Sequence, residues 1–409
     1  MPGSTKRISQ PSISRRQMLM AGLALPAAAQ RVIPYCEEPF LNLHQWSATP
    51  VKIASVELLR RDKDYFVRVR SAAGVEGVCK TKQVDDYIPI LLRRIAPEFV
   101  GKDARDLETL IDEVYVKNYK MAGQAFWAPL AYVEQATFDL LGRTAGKPVG
   151  ALLGGVIRRR VPVYLSGSGR ETTAEEEVAV YVRGVAETGA KAVKFKIGGR
   201  MSRNLDTYPG RTETLMELAR KRLGDGMLLF ADANGSYNAP KAIEVGRMLE
   251  SLGVKFFEEP CPWEELGETK RVADALEMAV AAGEQDASLW RFQWMIDNKV
   301  VNIVQPDLNY NGGFIRALRV ARMARQAGIP IIPHNTQTGA TSVNILQFAS
   351  AVENIGGFME YPHRAMPKKE SWYTPNFAIK DGHIAVPETP GLGIEIDPAY
   401  LAKAEVVRA

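Results

Sequence analysis

Two lysines, Lys194 and Lys196, lie in the otherwise apolar run VKFKIGG (193–199). In a strand, residues two apart point to the same side. Their ammonium groups would then stand about 6–7 Å apart on one face, at ~3.3 Å per residue. Later apolar runs also close on polar groups. FADANG delivers Asp232 and Asn234, FFEEP delivers Glu258 and Glu259, and AAGEQ delivers Glu284. QPDLN delivers Asp307, PHNT delivers His334, and FMEYP delivers Glu360. Asp232 and Glu258 are 26 residues apart, and Glu258 and Glu284 again 26. That equal spacing predicts three carboxylates at one height on neighbouring strands. Crowded carboxylates repel, and each is driven to keep its proton. A hard dication with oxygen ligands removes the conflict, and magnesium is the expected ion. Glu259 should face away from Glu258 if alternation continues, so it is read as a bystander.

The flanking groups suggest proton chemistry. Lys196, beside Lys194 and near a dication, is expected to have its charged form disfavoured. That would suit it to act as a base near neutral pH. Lys194 is expected to offer positive charge to a substrate carboxylate. Asp307 and His334 lie one repeat apart. A carboxylate on one imidazole nitrogen fixes the tautomer and leaves the other nitrogen to exchange protons. The remaining histidines, His44, His363 and His383, fall outside the pattern and are read as structural or exposed.

Such a constellation needs a repeating scaffold. From about residue 161, short β-rich runs recur: 161–166, 192–197, 227–232, 254–259, 278–283, 300–305, 329–334 and 356–360. Helix-like stretches such as 175–189, 241–253 and 314–328 separate them, with apolar residues at three- and four-residue steps. Runs apolar on both faces, joined by single helices, argue a parallel sheet covered by helices. Eight units predict an α/β fold of the (β/α)8 barrel type, whose chemistry sits at the C-terminal ends of the strands. A doubly wound sheet would instead show a glycine-rich phosphate turn, and SGSG (166–169) lacks that spacing. A hairpin over 50–72, helices over 84–160 and short strands after 370 predict an α+β capping domain built from both ends of the chain. The expected divisions are 50–160 for the cap, 161–367 for the barrel, and 368–409 for a C-terminal segment packing on the cap.

Residues 14–29, SRRQMLMAGLALPAAA, pair two arginines with a short apolar run and small residues. This layout is similar to a twin-arginine export signal. It predicts a signal peptide over 1–29, a periplasmic mature protein, and an N-terminal extension over 30–49. The bulk composition fits a globular chain: 409 residues, 46% apolar, 24% charged and a net charge of +5. No basic block with interleaved aromatics argues for nucleic acid. The three cysteines follow no metal or disulfide spacing.

The ordered set Lys194, Lys196, Asp232, Glu258, Glu284, Asp307, His334 and Glu360 resembles the enolase superfamily, and within it the mandelate racemase subgroup. The segments 133–155 and 388–397 are similar to that family's entry into the barrel and its closing segment. The resemblance implies a magnesium enzyme that abstracts the proton alpha to a carboxylate. It implies Lys196 as base, Asp232, Glu258 and Glu284 as metal ligands, and His334 with Asp307 as a second proton-handling pair. Glu360 and Asn234 would contact the small-molecule carboxylate substrate. Dehydration of an acid sugar is the expected outcome, with racemisation or epimerisation as the alternative. A non-catalytic exported binding protein is the third possibility. Barrels of this kind often assemble, so a homo-oligomer is expected. The lid is expected from 34–47 or from the loop 198–213.

Overall fold

Residues 53–80, rich in Val, Leu and other apolar residues, fold into an antiparallel sheet, and helices follow over 85–152. The structure is a computed structural model, and it describes residues 38–82, 84–167, 169–363 and 370–408. The segment read as an export signal lies outside the described residues. Strands β1 (Ile53–Arg61), β2 (Asp64–Ser71) and β3 (Glu76–Lys80) pair in sequence order. The β1–β2 turn is tight, with Asp62 at φ 54°. One sheet face buries Leu58, Val67 and Val69 against the 22-residue helix Gln124–Ala145, and Phe66 on the other face meets Trp372 and Tyr400 edge-on.

Strand β3 approaches that helix closely enough to require glycine. A methyl built on Gly77 would overlap Ala136 O and Leu140 N, both backbone atoms. Neither can swing aside as a side chain would. Overpacking of this kind costs about 1–3 kcal/mol or more. Gly77→Ala is therefore expected to lower the denaturant midpoint by at least that equivalent, and an unchanged midpoint would contradict the packing described.

The second half of the chain is a ring of parallel strands: β4 (Arg160–Ser166), β5 (Ala192–Lys196), β6 (Leu228–Asp232), β7 (Phe256–Glu258), β8 (Ala279–Ala282) and β9 (Ile303–Val304). The seventh position narrows to single bridges joining Ile331 to Val304 and to Ile355. Pro330 and Pro333 flank Ile331, and a proline has no N–H to give to a ladder. Strand β10 (Met359–Pro362) then pairs with β4, which closes the ring. Seven helices from Ala174–Thr188 to Val343–Ala351 cover the outside. The fold is a (β/α)8 barrel with a capping domain.

The register aligns the polar strand ends. Lys196 pairs with Asp232, and Asp232 pairs with Glu258. Below them, Tyr164, Phe230 and Phe256 fill the barrel. Phe230 stacks on Phe256 with ring centres 4.1 Å apart, and Tyr164 meets Phe230 edge-on at 5.2 Å. This apolar floor keeps water out from beneath the polar layer.

Cap and barrel are joined through buried acids. Glu134 accepts from the Phe314 and Ile315 backbone N–H groups, both at 2.8 Å, and so caps the helix Phe314–Gln326. Desolvation raises its carboxyl to about 8, against the pull of those two N–H groups and of Arg316 and Arg319. Asp139 accepts from Val78 N on β3 and from Leu392 N near the C-terminus. Strand β11 (Tyr373–Thr374) pairs with β13 (Glu395–Ile396). Strand β12 (His383–Ala385) joins β4 of the barrel, and β14 (Glu405–Val407) joins β1 of the cap.

Candidate active site

Each strand end brings its predicted group to one cluster. Asp232, Glu258 and Glu284 each offer a carboxylate oxygen, and these oxygens lie within 4.8 Å of one another. All three residues are buried. Burial pushes the Glu258 carboxyl well above its usual range; the Lys194 ammonium opposes this, while the charges of Asp232, Glu360 and Glu284 add to it. Burial also works against Asp232, but Lys196, Lys194 and Arg170 outweigh it and hold that carboxyl below the usual range. Glu284 Oε2 is buried without a hydrogen bond among the described residues. Charge counting gives the same result. Buried Asp232, Glu258, Glu259, Glu284 and Glu360 stand against buried Lys194, Lys196 and Arg170, a formal excess of two negative charges. An all-oxygen donor set with that excess and an unsatisfied buried oxygen fits a hard divalent cation.

At one flank of this row, Lys196 Nζ donates to Asp232 Oδ2 and to Asn234 Oδ1, the latter at 3.2 Å. Asn234 is held from several sides. Its Oδ1 also accepts from Arg170 at 2.9 Å, and its amide donates to Glu259 and Glu284 at 3.3 Å each. At the other flank, His334 Nε2 is 3.5 Å from Glu284 Oε2. Its Nδ1 is 2.9 Å from Asp307 Oδ2. Desolvation opposes the imidazolium, but Glu284, Asp307 and Glu360 raise the His334 pKa. Burial likewise opposes charge on Asp307, and Lys82 and His334 hold its carboxyl well below the usual range. The backbone N–H groups of Asn309 and Tyr310 also bond Asp307 Oδ1.

Glu360 closes the ring. Its Oε1 is 2.8 Å from Lys194 Nζ, and its Oε2 accepts from Asn335 N at 3.0 Å. Burial notwithstanding, Lys194 and His334 hold its carboxyl below the usual range. Above the cluster opens a cavity of about 590 Å³. Lys196, His334, Asn234, Glu284 and Glu360 line it, with Arg200 and Met201 from the loop 198–213.

Two residues sit otherwise than strand alternation suggested. Lys194 does not reach the cavity, because its side chain is 0% exposed and lies beneath the acids. Its ammonium is 2.7 Å from both Glu258 oxygens, 3.7 Å from Asp232, and 5.4 Å from the Tyr164 ring centre. Burial disfavours its charge, but Glu258 and Glu360 raise its pKa well above the usual value. The two like charges of β5 are therefore each paired with acids, and Lys194 is a counter-ion within the site. Glu259 is no bystander either. It lies past the end of β7 at φ 39°, where strand alternation no longer holds, and it lines the cavity.

Other residues here carried no signal in the repeat. Gln305 donates to Glu258 Oε2 at 2.9 Å, and Arg170 follows the SGSG turn. Lys82 and Gln124 reach the cavity from the cap. Residues 38–47 do not line it: Phe40 and Leu41 are instead tied to Glu108 on the cap. Of the two lid candidates, the loop 198–213 is the one at the cavity mouth. His44 is exposed, and no described helix is long and apolar enough to cross a membrane.

Family comparisons agree with this architecture. The model for the mandelate racemase / muconate lactonizing enzyme N-terminal domain matches residues 39–154. The enolase C-terminal domain-like model matches residues 177–400. The chain belongs to the mandelate racemase / muconate lactonizing enzyme family of the enolase superfamily. A solved structure from Roseobacter denitrificans, described as a candidate racemase, is 37% identical with a TM-score of 0.83. The match covers 87% of this chain and 99% of that one. A mandelate racemase/muconate lactonizing protein from Paracoccus denitrificans, complexed with magnesium, is 31% identical with a TM-score of 0.80, over 87% and 99% of the two chains. Arabinonate dehydratase of Saccharolobus solfataricus is 29% identical over 319 residues, covering 76% of this chain and 82% of that protein.

Proposed function

We propose that the protein is a magnesium-dependent dehydratase of acid sugars, yielding 2-keto-3-deoxy acids. The observation that carries this is an amine and an imidazole lining one cavity at the two flanks of a buried acid row. Asp232, Glu258 and Glu284 would hold Mg2+, which when bound supplies electrophilic stabilisation of negative charge on the substrate carboxylate. Lys196 takes the α-proton, since it is the lysine of the pair that reaches the cavity. Lys194 holds Glu258 and Glu360 in place from below. Asn234 orients Lys196 through its own bonds to Arg170 and the acids. Asp307 fixes the His334 ring through Nδ1, which leaves Nε2 to deliver a proton to a departing β-hydroxyl. Glu360 meets the substrate carboxylate. The named activity of the Saccharolobus solfataricus relative supports dehydration.

Racemisation or epimerisation is the second reading. The same two flanking groups could move a proton between faces, and the Roseobacter denitrificans relative is described as a candidate racemase. A panel of aldonic, aldaric and uronic acids with magnesium separates the two. Formation of 2-keto acid is expected; α-deuterium exchange without it would favour the racemase. His334→Asn is expected to cut dehydration about 10²–10⁴-fold while Lys196-dependent exchange persists. Equal loss of both signals would remove His334 from the leaving-group role.

A further inference from the structure

The proposed steps leave one buried cation of the cavity without a task. Lys82 sits two residues beyond β3, where Thr81 N bonds Tyr65 O at 3.0 Å and fixes the backbone. Its side chain is 9% exposed. Its Nζ is 3.2 Å from Asp307 Oδ2 and 4.2 Å from the centre of the Tyr310 ring. It lines the cavity together with His334 and Tyr310. An ammonium has three N–H donors. Asp307 takes one, and Tyr310 at most a second, so one remains for whatever fills the cavity.

A buried donor left unmet is costly. A hydrocarbon tail would leave it unmet, whereas a hydroxyl would satisfy it. Much of the lining has the same character, with Gln124, Asn234, Gln285 and Thr336 all facing the space. Gln124 also comes from the cap, and its amide donates to Gln285 O and Oε1 at 2.9 and 3.1 Å. Through Lys82 and Gln124 the cap thus contributes side chains to the cavity that the barrel does not.

We propose that Lys82 is a specificity-determining residue that selects polyhydroxy acids by donating a hydrogen bond to a hydroxyl beyond the substrate's α-carbon, on the His334 side. This rests on the proposed function only in placing the substrate carboxylate at the acid row. The ion pair with Asp307 holds the donor in place, so a hydroxyl meets a preset partner and little entropy is lost on binding.

The test is calorimetric and uses the magnesium-loaded full chain carrying Lys196→Ala, so that bound acid is not consumed. The probes are D-arabinonate and 2-hydroxypentanoate, which share carbon count, carboxylate and α-hydroxyl. Arabinonate is expected to bind about tenfold tighter or more, the value of a hydrogen bond to a charged group. Adding Lys82→Met is expected to shrink that ratio to about threefold or less while leaving the Kd for 2-hydroxypentanoate within about twofold. Should that variant not fold, Lys82→Gln, which loses the charge, is expected to lose most of the preference. Equal binding of the two acids by the Lys82 protein, or a preference that survives the Lys82 change, would overturn the assignment. Keto-acid formation is scored separately with Lys196 intact. A Lys82-dependent preference without dehydration would uphold the assignment and count against the dehydratase reading alone.

Discussion

Lys196→Ala is expected to abolish both keto-acid formation and α-deuterium exchange, lowering each by about 10²–10⁴-fold or more. The two signals fall together because proton removal precedes every later outcome, whichever product forms. The substitution should not harm the metal site. Lys196 Nζ is bonded to Asp232, one of the three proposed ligands. Removing it takes a competing cation away from that carboxylate, so magnesium affinity should hold or rise. Calorimetry with magnesium alone checks this independently of turnover. Exchange at near-normal rate in the alanine variant would mean that another group removes the proton.

The second large effect is expected at Glu258. This carboxylate is the middle of the acid row, held by Lys194 at 2.7 Å to both oxygens and by Gln305 at 2.9 Å. Ligand binding to the native state adds stability as RT ln(1 + [L]/Kd), about 2.7 kcal/mol when the free ion is at 100 times Kd. Magnesium is therefore expected to raise the melting temperature of the unaltered protein by a few degrees. In Glu258→Gln that rise should vanish, since one of three charged ligands is gone, and turnover should vanish with it. A Glu258→Gln protein that magnesium still stabilised to the same extent would refute the ligand assignment.

The sequence made the barrel legible where polar residues ended apolar runs. Asp232, Glu258 and Glu284 share a height because strand pairing places Lys196 beside Asp232 and Asp232 beside Glu258. Spacing along the chain is a fair proxy for that register while strands are regular. It fails where regularity stops. Glu259 turns into the cavity because its backbone leaves the strand conformation, which no periodicity announces. For Lys194, alternation gives the side on which the residue lies but not its depth. Its depth is set by Tyr164 below and three acids above. Lys82, Gln124 and Arg170 were invisible for a different reason. They belong to a turn after a cap strand, to the start of a cap helix, and to a loop, and only tertiary packing brings them to the site. Of the two lid candidates, only the loop 198–213 sends side chains, Arg200 and Met201, to the cavity among the described residues. Residues 38–47 were conspicuous as an addition, yet Glu108 anchors them to the cap.

The pairing of β14 with β1 matters for biogenesis. Leu58 lies opposite Val407, so the first strand of the cap waits for a partner 349 residues further along the chain (407 − 58). Closing so large a loop is slow. During synthesis the outer edge of β1 stays uncovered until residues 405–407 have left the ribosome. A nascent chain stalled before residue 405 would carry an open β edge, the kind of surface that chaperones hold and that otherwise seeds aggregation.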